Sequence, residues 1–340
     1  MIRVLVALCI GSVLLAGVVC LQALNSLEPA SDRPEARLFR VEKRATMARV
    51  AEDLEDSGLV RSALSTRLLA RWLDLDGRLH VGEYELSPDL SPREILAIVT
   101  SGRVKRWPVT IPEGSRVTDV ATRLKEAGLA DHDAFLAVAN DPLIAARLGV
   151  PGDSLEGYLY PDTYLLPRGL EPDEIARIMV QQFERVWQDE IALLATDSKL
   201  SKSEIVTLAS IVEKETAAPA ERPLIAAVFL NRLARGMRLE TDPTVIYGIT
   251  DFDGNLRTVH LRDDANPYNT YRIPALPPGP IASPGDEALR AVVAPAESDY
   301  LFFVSRNDGS HEFSASYEEH AAAVDRYQRR RRSRAASTAR

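Results

Sequence analysis

Cysteine is almost absent from this chain. Cys9 and Cys20 are the only two among 340 residues, and both sit in an uncharged N-terminal run. The remainder therefore has neither a disulfide nor a catalytic thiol, and an ordinary core must stabilise it. Histidine is scarce too: there are five (His80, His132, His260, His311 and His320), none at metal-ligand spacing. No glycine loop for phosphates and no G-x-S-x-G elbow occurs. The sequence thus predicts no metal and no cofactor. A net charge of −8 argues against a nucleic-acid binder.

What is present first is apolar. Val4 to Leu24 is 21 residues without a charge, long enough to cross a bilayer core of about 30 Å. Arg3 and the α-amine precede it, which favours a cytoplasmic N-terminus. A cleaved signal peptide would have a shorter apolar region and a small-x-small site. A lipoprotein reading of Ala16-Gly17-Val18-Val19-Cys20 is weakened by Val19. The expectation is an uncleaved anchor with residues 25–340 outside the cytoplasm. At the other end, residues 326–340 carry seven arginines and no acid. The reading is a solvated basic tail, with attraction to anionic membrane or wall polymer as the sharper alternative.

Residues 25–37 read as a polar tether. A repeat follows at a shift of 70 residues: Val50-Ala51-x-x-Leu54 and Gly58-Leu59 lie on Val120-Ala121-x-x-Leu124 and Gly128-Leu129. Each copy reads strand, turn, amphipathic helix, then glycine past the helix end. The first copy continues through a helix at Ser62–Leu73, a strand at Gly82–Leu86, and a helix opened by Ser91-Pro92. The second runs into helices near Asp131–Ala139 and Pro142–Leu148. Helices are expected at about 171–195, 201–217 and 220–235, followed by a loop-rich, proline-rich stretch. Strands at Tyr300–Ser305 and His311–Phe313 and a helix at Tyr317–Arg330 close the chain. The fold class is α+β, with domains at 1–24 (anchor), 25–37 (tether), 38–105 (βααβ module), 106–328 (a mostly helical domain with short strands) and 329–340 (basic disordered tail).

Chemistry concentrates in Leu208–Thr216, LASIVEKET. At about 100° per residue, Leu208, Ile211 and Glu215 share one helical face, while Glu213 projects away from it. A carboxyl among apolar side chains tends to stay protonated, as a general acid must be. The plain alternative is that both are surface acids near a helix end. Three polar-aromatic clusters accompany this helix. They are Glu156–Tyr164, with Glu156 and Asp162; Asn231 through Thr241, Asp242 and Tyr247; and Tyr268-Asn269-Thr270-Tyr271. Tyrosines beside amides and carboxylates suit a sugar cleft, though each cluster alone also suits turn and core chemistry. His311 and His320 could order such a cleft or simply be satisfied in place.

Ser210-Ile211-Val212-Glu213-Lys214-Glu215-Thr216, Arg238-Leu239-x-Thr241-Asp242-Pro243-Thr244, and Tyr268-Asn269-Thr270-Tyr271 with Leu276-Pro277-Pro278-Gly279 together resemble the MltG (YceG-like) family of endolytic murein transglycosylases. The resemblance covers essentially the whole chain, and implies that the first module is LysM-like. It implies a bacterial inner-membrane, single-pass enzyme that cuts nascent peptidoglycan strands and leaves 1,6-anhydro-N-acetylmuramic acid ends. Elongation synthases are plausible partners. The family's essential glutamate lies in this helix, and the Glu215-Thr216 pair is its expected carrier. Glu213 is the alternative acid or an orienting partner. Tyr247, Asn269 and Tyr271 are candidates to hold the N-acetyl group or the glutamate. Glu156, Asp162, Asn231, Thr241, Asp242 and Tyr268 complete the candidate substrate-binding set. Two other readings stand beside this one. A muramidase-type hydrolase would need Asp242 or Asp162 as a second carboxylate opposite Glu215. A non-catalytic membrane-anchored wall-binding scaffold would need no acid at all.

Overall fold

A computed structural model describes residues 17, 21–22, 24–216 and 218–329. The expected anchor and the basic tail from residue 330 lie almost wholly outside these residues. Among the described residues no helix is long and apolar enough to cross a membrane. The chain divides into two compact units. One reaches to Pro108 and takes in Leu165–Leu170, and the other comprises Val109–Tyr164 and Glu171 onward. Short strands and many helices make the whole mixed α+β.

In the first unit β1 (Arg37–Val41) pairs antiparallel with β2 (Gly82–Leu86), placing Phe39 opposite Tyr84. Between them run α1 (Met47–Asp56) and α2 (Ala63–Trp72). Thr46 caps α1 by accepting from Arg49 N, and Met47, Val50, Ala51 and Leu54 form its buried stripe. The helix ends at Ser57, and Gly58, at φ +66°, supplies the left-handed residue that turns the chain out. α3 (Pro92–Val99) opens with a reciprocal Ser91–Glu94 capping box and proline in its first turn. Phe39, Val41, Leu54, Tyr84, Leu86, Ile95 and Val99 form the core of this unit. The stretch expected as a tether is bound to this module. Arg61 Nε donates to Pro29 O (2.9 Å), Arg61 Nη1 to Asn25 Oδ1 (2.9 Å), and Ser31 N to Pro88 O (2.9 Å).

The repeat is structural as well as sequential. β3 (Trp107–Thr110) leads to α4 (Val117–Glu126), which buries Val117, Val120, Ala121 and Leu124, the positions α1 buries 70 residues earlier. Gly128, at φ +65°, repeats the turn of Gly58. Two further helices, α5 (His132–Ala139) and α6 (Pro142–Arg147), precede β4 (Thr163–Leu166), the partner of β3. The second copy is thus also a strand–helices–strand unit.

The helical part departs from expectation in three places. The helix expected to run to 195 stays α-helical only over α7 (Pro172–Val186), then widens into a π turn at Trp187–Ile191. Phe183, Trp187 and Ile191 are all buried at four-residue spacing. In a straight α-helix that spacing drifts around the axis, and a wider turn reverses the drift. α8 (Lys202–Glu215) stops two residues before 217, because Thr216 adopts an extended conformation and its Oγ1 accepts from Ala218 N (2.9 Å). α9 (Arg222–Ala234) follows. The stretch beyond Gly236, expected to be loop, contains α10 (Asp242–Tyr247), α11 (Thr258–Leu261) and α12 (Asp286–Val293). α12 buries Ala288, Leu289, Ala291 and Val292 against α8 and α9. It is only eight residues long and follows directly on the proline-rich run, so in the sequence it reads as part of that loop. β5 (Phe302–Ser305) and β6 (His311–Ser314) form an antiparallel hairpin, and α13 (Tyr317–Val324) packs on it.

Candidate active site

α8 begins with a Ser201–Glu204 capping box and buries every residue from Ile205 to Val212. Ser210 Oγ donates to Thr207 O (2.7 Å) and accepts from Ile281 N (3.0 Å), fixing the helix against the proline-rich stretch. Glu215 is the last helical residue. Burial pushes its carboxyl up to about 7, and the nearby Asp242 charge adds to this. The Thr241 hydroxyl, which donates to Glu215 Oε1, and His311 act in the opposite direction.

Thr241 is held in turn. Its backbone N donates to Thr270 Oγ1 (3.0 Å), and Thr244 Oγ1 donates to its carbonyl (2.8 Å). This threonine cluster is buried, so the residue facing Glu215 has little freedom. Asp242, in the first turn of α10, accepts from Tyr271 Oη (2.8 Å). Glu215, Asp242 and Tyr271 open on a cavity of ≈ 470 Å³, which Arg232, His311 and His320 also line. Its size falls within the usual range for small-ligand clefts.

The cavity is shaped by interactions that leave few loose ends. Arg232 is buried, donating to Leu301 O (2.6 Å) and Leu239 O (3.0 Å) and pairing with Glu240 (3.2 Å). Glu221 holds His311 twice, accepting from its backbone N (2.8 Å) and meeting its Nδ1 at 2.6 Å. Arg232, from the second polar-aromatic cluster, lines the cavity with Glu240 and Phe303; no local pattern singled out the last two, and Phe303 lies 88 residues from Glu215 in sequence.

The remaining candidates separate into other places. Glu213 faces away from the cavity: its Oε1 pairs with Arg222 (2.8 Å) and its Oε2 accepts from Gly285 N (3.0 Å). Thr216 caps the helix end. Glu156 is a second buried acid, also raised to about 7 by burial, which accepts from Val117 N (3.2 Å) and Tyr247 Oη (3.2 Å). Tyr247 and Tyr268 stack obliquely beside it at 4.6 Å. Asn269 is buried and donates to the carbonyls of His260 (3.1 Å) and Asp263 (2.8 Å), closing the loop around α11. Asn231 donates to Ser298 O (2.8 Å) and Tyr300 O (3.0 Å). Asp162 accepts from Thr163 N (2.7 Å) and Gln182 Nε2 (3.0 Å) and does not line the cavity. Of the two carboxylates considered as partners for Glu215, Asp242 alone shares its cavity.

Similarity to known proteins follows the same segments. The YceG-like family model matches residues 39–326. The endolytic murein transglycosylase of Bacillus subtilis is 27% identical over 337 residues, spanning 92% of this chain and 91% of that protein. The endolytic murein transglycosylase of Streptococcus pneumoniae is 29% identical over 302 residues, spanning 80% of this chain and 54% of that longer protein. A 2.6 Å crystal structure of a YceG-like protein from Listeria monocytogenes superposes with a TM-score of 0.59 at 29% identity, covering 86% of this chain and all of that one. The acid at the end of α8, the threonine that holds it and the cavity residues up to Val324 thus lie within the matched residues, and the chain belongs to the YceG-like family.

Proposed function

We propose that this protein is an endolytic peptidoglycan lytic transglycosylase, with Glu215 as its general acid and base. The observation that carries the reading is a carboxyl raised to about 7, opening on a cavity that also presents Asp242 and Tyr271. A group near neutrality can both give and take a proton at working pH. Protonated Glu215 donates to the oxygen linking N-acetylmuramic acid to N-acetylglucosamine, and the C1–O bond breaks. The substrate's N-acetyl oxygen and the Asp242 carboxylate stabilise the positive charge on the sugar. The C6 hydroxyl of the same sugar then closes on C1, and ionised Glu215 takes its proton. The product is a 1,6-anhydro end, the acid is regenerated, and no water is consumed. Cuts within nascent strands would end their elongation.

Asp242 supports a second reading. Two carboxylates in one cavity also suit a muramidase-type hydrolase, in which water reaches C1. Mass spectrometry of the products from uncrosslinked glycan strands separates the two. Ends lighter by one water are expected, and reducing ends would make the protein a hydrolase.

The localisation belongs to the same proposal. The uncharged run Val4–Leu24 serves as a single-pass anchor in the bacterial inner membrane, with the cavity-bearing unit outside the cytoplasm. There the enzyme meets strands as synthases extend them, which makes elongation synthases its natural partners. The first βααβ unit is read as LysM-like.

A further inference from the structure

α2 (Ala63–Trp72) buries Thr66 and Ala70 on one side and presents large apolar side chains on the other. Leu64, Leu68 and Trp72 are 67%, 57% and 76% exposed. Four-residue spacing places them on one helical face. Arg67 and Arg71 are exposed along the edge of that face, and Arg61 lies just before the helix. From Arg61 to Trp72 there are three arginines and no acid, in a chain of net charge −8. Leucines and a tryptophan flanked by arginines form the pattern of a helix lying in a membrane interface.

Its position strengthens the match. Ser26 Oγ donates to Ser65 Oγ of α2 (2.6 Å), and Arg61 donates to Asn25 Oδ1 (2.9 Å). The start of α2 is therefore bonded to the residues that immediately follow the apolar run Val4–Leu24. Leu21 and Leu24, at the end of that run, are 68% and 59% exposed. Resting on the anchor reading, we infer that the outward face of α2 lies on the anionic membrane surface. Leu64, Leu68 and Trp72 enter the interface, and Arg67 and Arg71 meet lipid phosphates. One short helix partitions weakly by itself. Here the neighbouring segment holds it at the surface, so binding is effectively intramolecular.

The full chain carrying Cys9→Ser and Cys20→Ser, with a nitroxide on Leu68→Cys, tests this in vesicles of phosphatidylcholine and phosphatidylglycerol. The exposed Asp153→Cys serves as the reference label. The Leu68 label should show several-fold higher relative accessibility to oxygen over a water-soluble nickel chelate than the reference. Arg67→Glu with Arg71→Glu should return it to water while the protein still floats with the vesicles. A Leu68 label that stays in water on floating protein overturns this inference alone. Protein that does not float overturns the anchor reading with it. Shielding that follows protein concentration or added glycan strands, rather than lipid charge, assigns the face to a second copy or to the wall and overturns the membrane assignment.

Discussion

Thr241 donates its hydroxyl to Oε1 of Glu215 across 26 residues of sequence. The bond joins the N-cap of α10 to the last residue of α8, and it stabilises the ionised carboxyl. Removing it in Thr241→Val should therefore raise the Glu215 pKa further. A general acid loses activity as pH rises through its pKa, so the alkaline limb of the pH–rate profile should move up. A limb that stays or moves down would break the link between Thr241 and the acid.

Glu215 and Glu156 each contribute stability that falls as pH rises. Glu215 and Glu156 are each raised from the usual 4.5 to about 7. The folded state therefore binds more protons than the unfolded chain between these values. The contribution of each group is complete below about 4.5 and is lost as pH rises through about 7. A shift of this size corresponds to about 3 kcal/mol per carboxyl. Urea unfolding should show Glu156→Gln gaining on the native protein at pH 8, with the gap closing near pH 4.5. A gap that widens toward acid would contradict the assignment.

Arg222 and Glu213 tie down the end of α8, and on the proposed mechanism neither transfers a proton. Arg222 is buried, pairs with Glu213 (2.8 Å), and is also reached by Glu113 (3.4 Å) and Glu287. Arg222→Met leaves the Glu213 carboxylate buried without its counter-charge, and should cost about 3–5 kcal/mol. Glu213→Gln should keep most of the turnover, well short of the roughly 10²-fold loss expected for a missing general acid. Comparing kcat for Glu213→Gln with its unfolding midpoint separates the positioning role from a chemical one.

Gly157 admits no side chain. Its φ is +82°, and an added Cβ would lie 2.4 Å from Pro280 Cβ. Gly157→Ala should destabilise by roughly 2 kcal/mol or more through left-handed strain and overpacking. Thermal unfolding measures this directly, and an unchanged Tm would contradict the packing described.

Local signals were legible wherever a helix start, a glycine stop or an apolar stripe stood alone. The caps at Ser62, Ser91 and Ser201 and the stops at Gly58 and Gly128 mark their elements to within a residue or two. The face that joins Leu208, Ile211 and Glu215 was readable from helical geometry. Glu213 was harder, because its burial comes from Arg222, Gly285 and Glu113, which no period along α8 can announce. The same holds for the cavity wall. Phe303 comes from a hairpin 88 residues away, so only the folded chain brings it to Glu215, whereas His311 and His320, read as able to order a cleft, do line the cavity. Asn269 looked like a sugar ligand beside its tyrosines, yet its side-chain amide is spent on the carbonyls around α11.

The most direct measurement is the initial rate of strand cleavage by Glu215→Gln against the native protein, on uncrosslinked glycan strands just below pH 7. Unfolding curves should confirm that both are folded. Loss of the acid should lower the rate by about 10²-fold or more and abolish ends lighter by one water. A folded Glu215→Gln protein that still produces those ends at near-native rate would contradict the assignment of Glu215 and the mechanism built on it.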